Sequence, residues 1–462
     1  MNNCEIAVLN IVILAAGKGS RMRSALPKVM HDLAGAPILS HVISTSQALL
    51  ADRPGHIIVV TGHGRKIVDP LVSQAACRIV HQEAQLGTGH AVQMALADVA
   101  REGQTLVLYG DVPLVTPEHL EPLLDISQHD LAVLTACVDD PTGYGRIIRD
   151  ADGAIQRIVE QRDATESERA ISEINSGIYA GPTARFLDVL PQLTNDNAQS
   201  EYYLTDCVAL TVANGGRVEG LVAPSEVTMG VNDRAQLAEM NTRIQDRRRI
   251  EAMQNGATLL DPSTVYFNGS VRLHEDVIVE PNVTFNGSVE VGANSRVGFG
   301  SHLTDTCIAS GVTIKPYSVI ESGTVGEGAV VGPFARIRPG TELGPKTHLG
   351  NFCETKNAVV GEGSKINHLT YIGDAVIGRE TNIGAGTITC NYDGAHKHLT
   401  TLGDQVFIGS NTSLVAPVTV GDGATTGAGS VITRDVESNA LALTRPSQIE
   451  KSNFKRPSKR KE

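Results

Sequence analysis

The amino-acid sequence predicts a doubly wound α/β domain in the first half of the chain and a parallel β-helix in the second half. Three observations support this prediction. Strand-like apolar runs alternate with helical patterns over residues 1–232, one long helical segment follows at 233–256, and apolar residues then recur every six positions. At 462 residues the chain is also too long for one compact core.

The first half alternates short apolar runs with amphipathic stretches. Candidate strands are Ile11–Leu14, Ile57–Thr61, Thr105–Leu108 and Leu131–Cys137, and candidate helices include Pro37–Leu50 and Gly89–Ala100. This alternation predicts a mostly parallel sheet, which binds ligands at the carboxyl ends of its strands. We therefore expect the loop after the first strand to carry a binding site.

The segment 233–256 predicts one connecting helix. Asp233 can cap its start and Gly256 its end, and apolar residues recur between them at helical spacing.

The second half has a period of six. Its clearest run is Val319, Val325, Val331, Ile337, Leu343 and Leu349. A Gly-rich sandwich would not keep one spacing through six apolar positions, so the period predicts a β-helix over 257–437, with roughly ten coils of three hexads. The break between Ile383 and Ile408 predicts a loop that leaves the coil, and residues 438–462 are predicted to form a basic tail.

Composition and charge exclude several classes of protein. A net charge of −12 argues against a nucleic-acid partner, and Lys451–Glu462 is the one basic cluster. The seven cysteines are scattered without CxxC spacing, which argues against zinc and disulfides and favours a cytoplasmic location. The apolar run Ile11–Ala16 is too short for membrane insertion and lacks a basic leader, so we expect no signal peptide.

The loop VILAAGKGSRMRSALPK (Val12–Lys28) is typical of a phosphate-binding loop, yet it fits neither common pattern. A Walker loop needs four residues between its glycines, and a dinucleotide fingerprint needs glycine where Met22 stands. Gly17 and Gly19 nevertheless allow an anion to approach the backbone closely. Positive charge comes from Lys18, Arg21 and Lys28.

Two further segments strengthen the prediction of a phosphate site. QLGTGHA (Gln85–Ala91) is a small-residue turn that opens a helix, and LVLYGDVPL (Leu106–Leu114) places Asp111 after a strand. An aspartate there is often only a turn residue. Beside two anion-type loops, we expect Asp111 to hold Mg²⁺ against phosphate oxygens.

Polar residues on the predicted β-helix indicate a second site. Arg338 and Lys356 are 18 residues apart, so they should lie on successive coils as an anion-binding pair. His368 and Tyr371 follow in the same region, near the expelled loop at 389–406. We expect His368 to act as a general base, with Glu354 as a candidate to orient it.

These motifs resemble a known family. LAAGKGSRM, LPK, QLGTGHA, YGDVPL, GYGRI, VEQRDAT, EINSGIY and GVNDR occur in this order. Together they resemble the sugar-1-phosphate nucleotidylyltransferases, whose domain is Rossmann-like. With the hexad half, nearly all of residues 9–460 resembles the bacterial bifunctional N-acetylglucosamine-1-phosphate uridylyltransferases and glucosamine-1-phosphate acetyltransferases. The resemblance implies a left-handed β-helix and a homotrimer with active sites between subunits.

The resemblance also implies roles for residues of the first half. Lys28, with Arg21, would neutralise charge while the sugar phosphate attacks the α-phosphorus of UTP, and Asp111 and Asn232 would hold Mg²⁺. The residues that match the sugar-binding motifs are Gly145, Glu160 and Asn175. The residues that match nucleotide-binding positions are Leu14, Ala15, Ala16, Gly17, Gln82, Gly87, Thr88, Tyr109 and Gly110.

For the second half, the resemblance implies that His368 deprotonates the amine of glucosamine-1-phosphate for direct attack on acetyl-CoA. The residues implied in binding this sugar phosphate are Arg338, Lys356, Tyr371 and Asn382. Asn391 and Tyr392, in the CNYDG motif, would contact sugar or acetyl-CoA. The residues that match other acetyl-CoA positions are Ala385, Ser410, Ala428 and Arg445.

The expected function is therefore acetylation followed by uridylyl transfer, which yields UDP-N-acetylglucosamine for the bacterial envelope and releases pyrophosphate. Two alternatives stay open at this point. One is a nucleotidylyltransferase with a regulatory β-helix, and the other is a non-catalytic sugar-nucleotide sensor. His396 and His398 have the spacing of a metal pair, but nothing near them in sequence completes a site, so we expect a plain loop.

Overall fold

A computed structural model describes residues 8–97 and 99–456. Cys4 and the end of the predicted tail, 457–462, lie outside the described residues. The chain divides into two compact units, one up to Ile244 and one from Gln245 onward.

The first unit is built on a twisted mixed sheet. In spatial order its main strands are Glu219–Val222, Ala132–Cys137, Glu173–Pro182, Gln104–Tyr109, Leu9–Ala15, Gly55–Thr61 and Arg78–His81. The sheet is parallel except at Glu173–Pro182, which runs antiparallel to both neighbours. The hairpin Arg146–Arg149 and Ile155–Val159 extends from that strand, and Asp32–Leu33 pairs separately with Ala36–Pro37. The predicted mostly parallel sheet therefore carries one long antiparallel insertion.

Helices cover both faces of this sheet. They are Ile38–Leu49, Arg65–Gln74, Thr88–Leu96, Pro117–Ile126, Glu166–Arg169, Thr183–Val189, Asp206–Ala213 and Ser225–Thr228. Ile11 and Ile13 pack into one core while Val12, between them, packs into the other. Burial on both faces explains why the central strand is a continuous apolar run.

The predicted connecting helix is present as Arg234–Gln254. The boundary between the units falls inside it. Met240 and Ile244 are buried in a core of the first unit, whereas Gln245 and Arg249 hydrogen-bond the carbonyls of Phe267 and Val265 in the second unit.

The second unit is a stack of short parallel strands, as the six-residue period predicts. One sheet contains Thr258–Leu259, Ile278–Val279, Arg296–Val297, Thr313–Ile314, Val330–Val331, His348–Asn351, Lys365–His368, Asn382–Ile383, Phe407–Ile408, Thr425–Thr426 and Leu441–Ala442. The other sides are formed by Tyr266–Leu273, Thr284–Val291, His302–Ile308, Val319–Glu321, Thr324–Val325, Arg336–Ile337, Glu342–Leu343, Glu354–Val360, Tyr371–Ile377, Ile388–Cys390, Thr400–Leu402, Ser413–Val415, Val418–Val420 and Val431–Ile432.

The interior of the β-helix is an apolar column. Val331 lies in register with Ile314 on one side and Leu349 on the other, and all three are buried. One predicted inward residue is wrong: Val319 is half-buried, and its neighbour Ile320 is fully buried instead. The corner between Ile320 and Val325 is one residue shorter than a regular hexad, which shifts the inward position.

The boundaries of the β-helix also differ from prediction. Leu441–Ala442 pairs with Thr425–Thr426, so the coil continues into the predicted tail. Ala440 and Ala442 accept hydrogen bonds from the backbone of the preceding coil, which explains the extension. The segment that leaves the coil is 391–399, between two strands, and is shorter than the predicted 389–406.

Within the described ranges, no helix is long and apolar enough to cross a membrane.

Candidate active sites

A pocket of about 440 Å³ lies at the carboxyl ends of the central strands of the first unit. Its lining includes predicted nucleotide- and metal-binding residues: Leu14, Ala15, Ala16, Gly17, Lys28, Gln82, Gly87, Thr88, Tyr109, Asp111 and Asn232. Leu14 pairs in register with Val60 and Tyr109 on the adjacent strands. Parallel pairing brings these strand ends to one edge of the sheet, as the alternation of strands and helices predicts.

The two glycines of the first loop do different things. Gly19 has a φ of 57°, and a Cβ there would lie 2.5 Å from the Cβ of Lys28. Glycine at 19 therefore allows both the left-handed turn and the close approach of Lys28. Apart from its two chain neighbours, no residue has an atom within 4 Å of the position that a Cβ on Gly17 would take, so a side chain at this position would meet open space.

Lys28, Asp111 and Asn232 converge in this pocket. The Lys28 ammonium forms an ion pair with the Asp111 carboxylate and lies 3.4 Å from Asn232 Oδ1. Arg21 also donates to Asn232 Oδ1, over 2.8 Å. The Val231 N–H donates to the Asp111 carbonyl, which holds Asn232 beside Asp111.

This arrangement fits a magnesium site. The Asp111 carboxylate and the Asn232 amide oxygen face one position. The positively charged Lys28 ammonium occupies that position. In the described part of the chain no three His, Cys, Asp or Glu side chains form a metal cluster. Mg²⁺ commonly uses only one or two protein carboxylates together with substrate phosphates and waters, so two protein ligands suffice.

Two glutamine side chains of the pocket lining hydrogen-bond the backbone around it. Gln82 Nε2 donates to the Gly87 carbonyl over 2.9 Å, and Gln85 Nε2 donates to the Ala16 carbonyl over 2.6 Å. Sequence reasoning missed Gln85 as a pocket residue, although it begins the motif QLGTGHA. Thr88 Oγ1 accepts from the Leu204 N–H, which ties the start of its helix to a distant loop.

The predicted sugar-binding residues also lie together. The Asn175 N–H donates to the Gly145 carbonyl over 2.9 Å, and a Cβ on Gly145 would lie 3.4 Å from Glu160 Oε1. Burial raises the pKa of Glu160, and the nearby Asp163 and Asp206 carboxylates add to the rise. Burial, and then the Glu160 charge, raise the pKa of Tyr109. Because Tyr109 lines the pocket, Glu160 lies near it.

Gly110 is the one predicted nucleotide-binding residue not yet described, and it contacts the pocket-lining strand end through its backbone. Its N–H donates to the Leu14 carbonyl over 2.9 Å.

On the β-helix, Arg338 and Lys356 follow each other on successive coils. Arg338 donates to Glu354 over 2.8 Å. The Lys397 ammonium, and after it the Arg338 guanidinium, lower the pKa of Lys356. Lys397 lies on the expelled loop and was missed by sequence reasoning, because nothing in its spacing indicates that the loop folds back here.

His368 is exposed at the end of its strand, and Asn351 orients its ring. Nδ1 lies 2.9 Å from Asn351 Oδ1. An amide oxygen only accepts, so Nδ1 donates and Nε2 is the basic nitrogen. The expectation that Glu354 orients His368 is wrong in this structure, because Glu354 pairs with Arg338.

Tyr371 and Asn382 are placed differently. Tyr371 starts the strand after His368, and a Cβ on Gly373 would lie 2.3 Å from its hydroxyl, so the Tyr371 ring folds over Gly373. Asn382 lies in the other sheet, in register with Lys365 and Phe407.

The predicted acetyl-CoA residues form a ladder along successive coils. The Ala385 carbonyl accepts from the Asn411 N–H over 2.7 Å, and the Ser410 carbonyl accepts from the Gly429 N–H over 2.8 Å. Arg445 donates to the Ala428 carbonyl over 3.2 Å. The coil geometry therefore aligns residues that lie far apart in sequence.

The expelled loop 391–399 carries Asn391 and Tyr392. Its turn is closed by Asp393, which accepts from two backbone N–H groups and lies 2.6 Å from His398 Nε2. Among the residues that the structure describes, His396 and His398 belong to no group of three His, Cys, Asp or Glu side chains that could hold a metal ion.

Comparisons with known proteins match both halves of the chain. A family model for the MobA-like NTP transferase domain matches residues 11–181, and one for the bacterial transferase hexapeptide (six repeats) matches residues 399–434. The fold and its two sites thus define a transferase with two parts, a nucleotidyltransferase and a hexapeptide acyltransferase.

The relatives narrow this class further. "Bifunctional protein GlmU" of Acinetobacter baumannii (strain AYE) is 52% identical over 98% of this chain and 99% of its own length. The protein of the same name from Bordetella petrii is 50% identical over 98% of this chain and 100% of its own length. The chain belongs to the GlmU family of bifunctional uridylyltransferases and acetyltransferases.

A solved structure, described as UDP-glucose pyrophosphorylase complexed with UDP-glucose, is 16% identical to this chain. The match covers 52% of this chain and all of that one, with a TM-score of 0.42, too low to add to the argument.

Proposed function

We propose that this protein acetylates glucosamine-1-phosphate with acetyl-CoA on its β-helix and then transfers uridylyl from UTP to the N-acetylglucosamine-1-phosphate formed. The products are UDP-N-acetylglucosamine and pyrophosphate. The observation that carries the assignment of uridylyl transfer is the convergence of Lys28, Asp111 and Asn232 in the pocket. The assignment of acetyl transfer rests on His368, whose basic Nε2 belongs to the same stretch of coils as the Arg338–Lys356 pair.

In the proposed uridylyl transfer, the substrate's own phosphate is the nucleophile. Gly145, Glu160 and Asn175 would hold the sugar so that this phosphate faces the α-phosphorus of UTP. Arg21 and Lys28 neutralise the charge that accumulates on the phosphate oxygens, which is what in-line phosphoryl transfer requires of a protein. Pyrophosphate then leaves on the opposite side.

Asp111 and Asn232 are the residues that would hold Mg²⁺. When bound, this ion would supply charge stabilisation to the phosphate oxygens. The Lys28 ammonium would then turn from Asp111 to the nucleotide phosphates.

In the proposed acetyl transfer, the cationic cluster of Arg338, Lys356 and Lys397 binds the phosphate of glucosamine-1-phosphate. His368 Nε2 takes a proton from the sugar amine as its nitrogen attacks the thioester carbonyl. The C–S bond then breaks, the protonated His368 returns its proton to the departing sulfur, coenzyme A leaves as the thiol, and no acyl-enzyme is formed. Asn351 keeps the His368 ring in the tautomer that this step needs.

We further propose a homotrimer with acetyl-transfer sites between subunits. Phe299, Tyr317, Phe334 and Phe352 form a row along the β-helix, with successive ring centroids 5.2 to 5.4 Å apart; the first pair meets edge to face and the other two pairs are stacked. Phe334 and Phe352 are about half exposed, at 47% and 55%. An exposed aromatic ladder of this kind is the surface that a partner subunit would cover.

The proposed setting is the bacterial cytoplasm, where the product would feed cell-wall and lipopolysaccharide synthesis. The six described cysteines are all free, which suits a reducing compartment.

One product assay tests both activities. Purified protein is incubated with glucosamine-1-phosphate, UTP and Mg²⁺, with and without acetyl-CoA, and products are identified by mass spectrometry. We expect UDP-N-acetylglucosamine only when acetyl-CoA is present. If the protein uridylylates N-acetylglucosamine-1-phosphate supplied in a parallel reaction but forms no acetylated product, the β-helix is a scaffold or a regulator and the proposal for His368 is wrong.

A further inference from the structure

A buried carboxylate lies behind the proposed acetyl-transfer site and has no role in the mechanism above. Asp374 belongs to the strand Tyr371–Ile377 and is only 9% exposed. In the described part of the chain it forms no ion pair within 4.0 Å. Burying a charged carboxylate is unfavourable unless hydrogen bonds compensate for the lost water.

Two asparagine side chains provide those hydrogen bonds, one on each side. Asn357 Nδ2, from the preceding coil, donates to one carboxylate oxygen over 2.6 Å. Asn391 Nδ2, from the first residue of the expelled loop, donates to the other oxygen. Asn391 is itself 8% exposed, and its carbonyl accepts from the His398 N–H over 2.8 Å, so it anchors both ends of the loop.

The contact with Asp374 fixes the orientation of the Asn391 amide. A carboxylate only accepts hydrogen bonds, so the amide nitrogen must face Asp374 and Oδ1 must face the other way. Oδ1 is then available to accept a hydrogen bond from a ligand. Asp374 also acts on Lys356, since its charge raises the pKa of that lysine against the opposing effect of Lys397.

We propose that Asp374 is a positioning residue for acetyl transfer: by holding the Asn391 amide in one orientation, it presents Asn391 Oδ1 to the substrates and fixes the loop that carries Lys397. This inference rests on the proposed acetyltransferase function. It assigns Asp374 no contact with substrate. The main effect of Asp374 passes through Asn391, because its charge is the smallest of the influences on the pKa of Lys356.

A double-mutant cycle tests this dependence. Asp374→Asn suits the test because asparagine is isosteric and tolerates the left-handed φ of 46° found there. We expect D374N and N391A each to lower kcat/KM for acetyl transfer about tenfold, mainly through KM. We expect the double variant to be no worse than N391A alone, because the two changes remove one shared contact.

The control is Asn357→Gly, which removes the other hydrogen bond to the same carboxylate. Asn357 also has a φ of 46°, so glycine introduces no strain. We expect N357G to change kcat/KM less than about threefold, and all variants to keep uridylyl transfer. The inference would be overturned if the losses of kcat/KM multiplied in the double variant, or if D374N had an unchanged KM. The proposed function would stand in either case, as long as the wild-type protein acetylates glucosamine-1-phosphate.

A second variant keeps the test valid if D374N does not fold. Asn391→Asp places a second carboxylate against Asp374, and like charges repel in a buried site. N391D must therefore lose more acetyl transfer than N391A. Equal losses in the two variants would show that Asp374 does not act through residue 391.

Discussion

The nucleotide pocket of the first unit is formed by loops at the carboxyl ends of the sheet's strands. The candidate catalytic residues of the second unit lie instead on the outer surface of the β-helix. In the first unit the loops enclose Lys28, Asp111 and Asn232 in a pocket of about 440 Å³. In the second unit His368 is exposed, and so are Phe334 and Phe352 nearby on the coils. The loops that follow the strands of an open α/β sheet can enclose a ligand within one chain. A β-helix instead carries its functional side chains on an extended outer surface, which a second surface can cover.

The largest expected effect separates the two sites completely. We expect His368→Ala to lower acetyl transfer by about 10² to 10⁴-fold, because it removes the general base. Uridylyl transfer should not change. Separate assays of the two half-reactions measure both effects.

The matched control is His348→Ala, an exposed histidine of the same sheet. We expect it to change neither activity. If H368A retained acetyl transfer, His368 would not be the general base, and the β-helix could not be compared with the first unit as a second catalytic site with this residue.

Asp111→Asn should have the opposite pattern. It removes the carboxylate that faces the cation position, so we expect uridylyl transfer to fall by about 10² to 10³-fold while acetyl transfer is kept. Titration with Mg²⁺ should show a weaker metal dependence in the variant. Asp125→Asn, on an exposed helix position, is the control; similar losses in both would argue against a metal role.

Gly19→Ala tests how tightly the first loop is built. The added Cβ must displace Lys28, so we expect uridylyl transfer to fall about tenfold. Gly153→Ala is the control, since Gly153 also has a positive φ, of 85°, but no atom within 4 Å of a Cβ. Each change should cost about 1 kcal/mol of stability from strain alone, measured by denaturant unfolding. Equal activity in the two variants would contradict the proposed role of Lys28.

The smallest effect concerns the charge of Lys356. Lys397 and Arg338 lower the pKa of Lys356, so its neutral form appears at a lower pH than in an ordinary lysine. Inhibition of acetyl transfer by glucose-1-phosphate, which has no amine, should therefore weaken as pH rises, and it should do so at a lower pH than an ordinary lysine would require. In Lys397→Met the weakening should begin at higher pH.

Lys346→Met is the control for this pH profile, because Lys346 is exposed and pairs with Glu362. We expect its profile to match the wild type. An unchanged profile in K397M would show that Lys397 does not share the phosphate site with Lys356.

The sequence by itself was enough to predict both architectures. The alternation around Ile11–Leu14 and the six-residue period through Val325 and Leu349 follow directly from which residues must be buried. The position of Lys28 and Asp111 at one edge of the sheet, and that of Arg338 and Lys356 on successive coils, were also predictable, because their spacing is local or matches one coil. Small errors arose where a corner is irregular, as at Ile320, since a single short corner shifts the inward position.

Only the tertiary structure decided which distant residues meet. No spacing indicates that Gln85 reaches Ala16, that Asn351 rather than Glu354 orients His368, or that Lys397 returns to Lys356. Nor does it indicate that Asp374 is shared by Asn357 and Asn391. The period of apolar residues in the sequence indicates which residues are buried. Hydrogen bonds and charge contacts depend instead on side-chain directions and loop paths, which are fixed only when the chain packs.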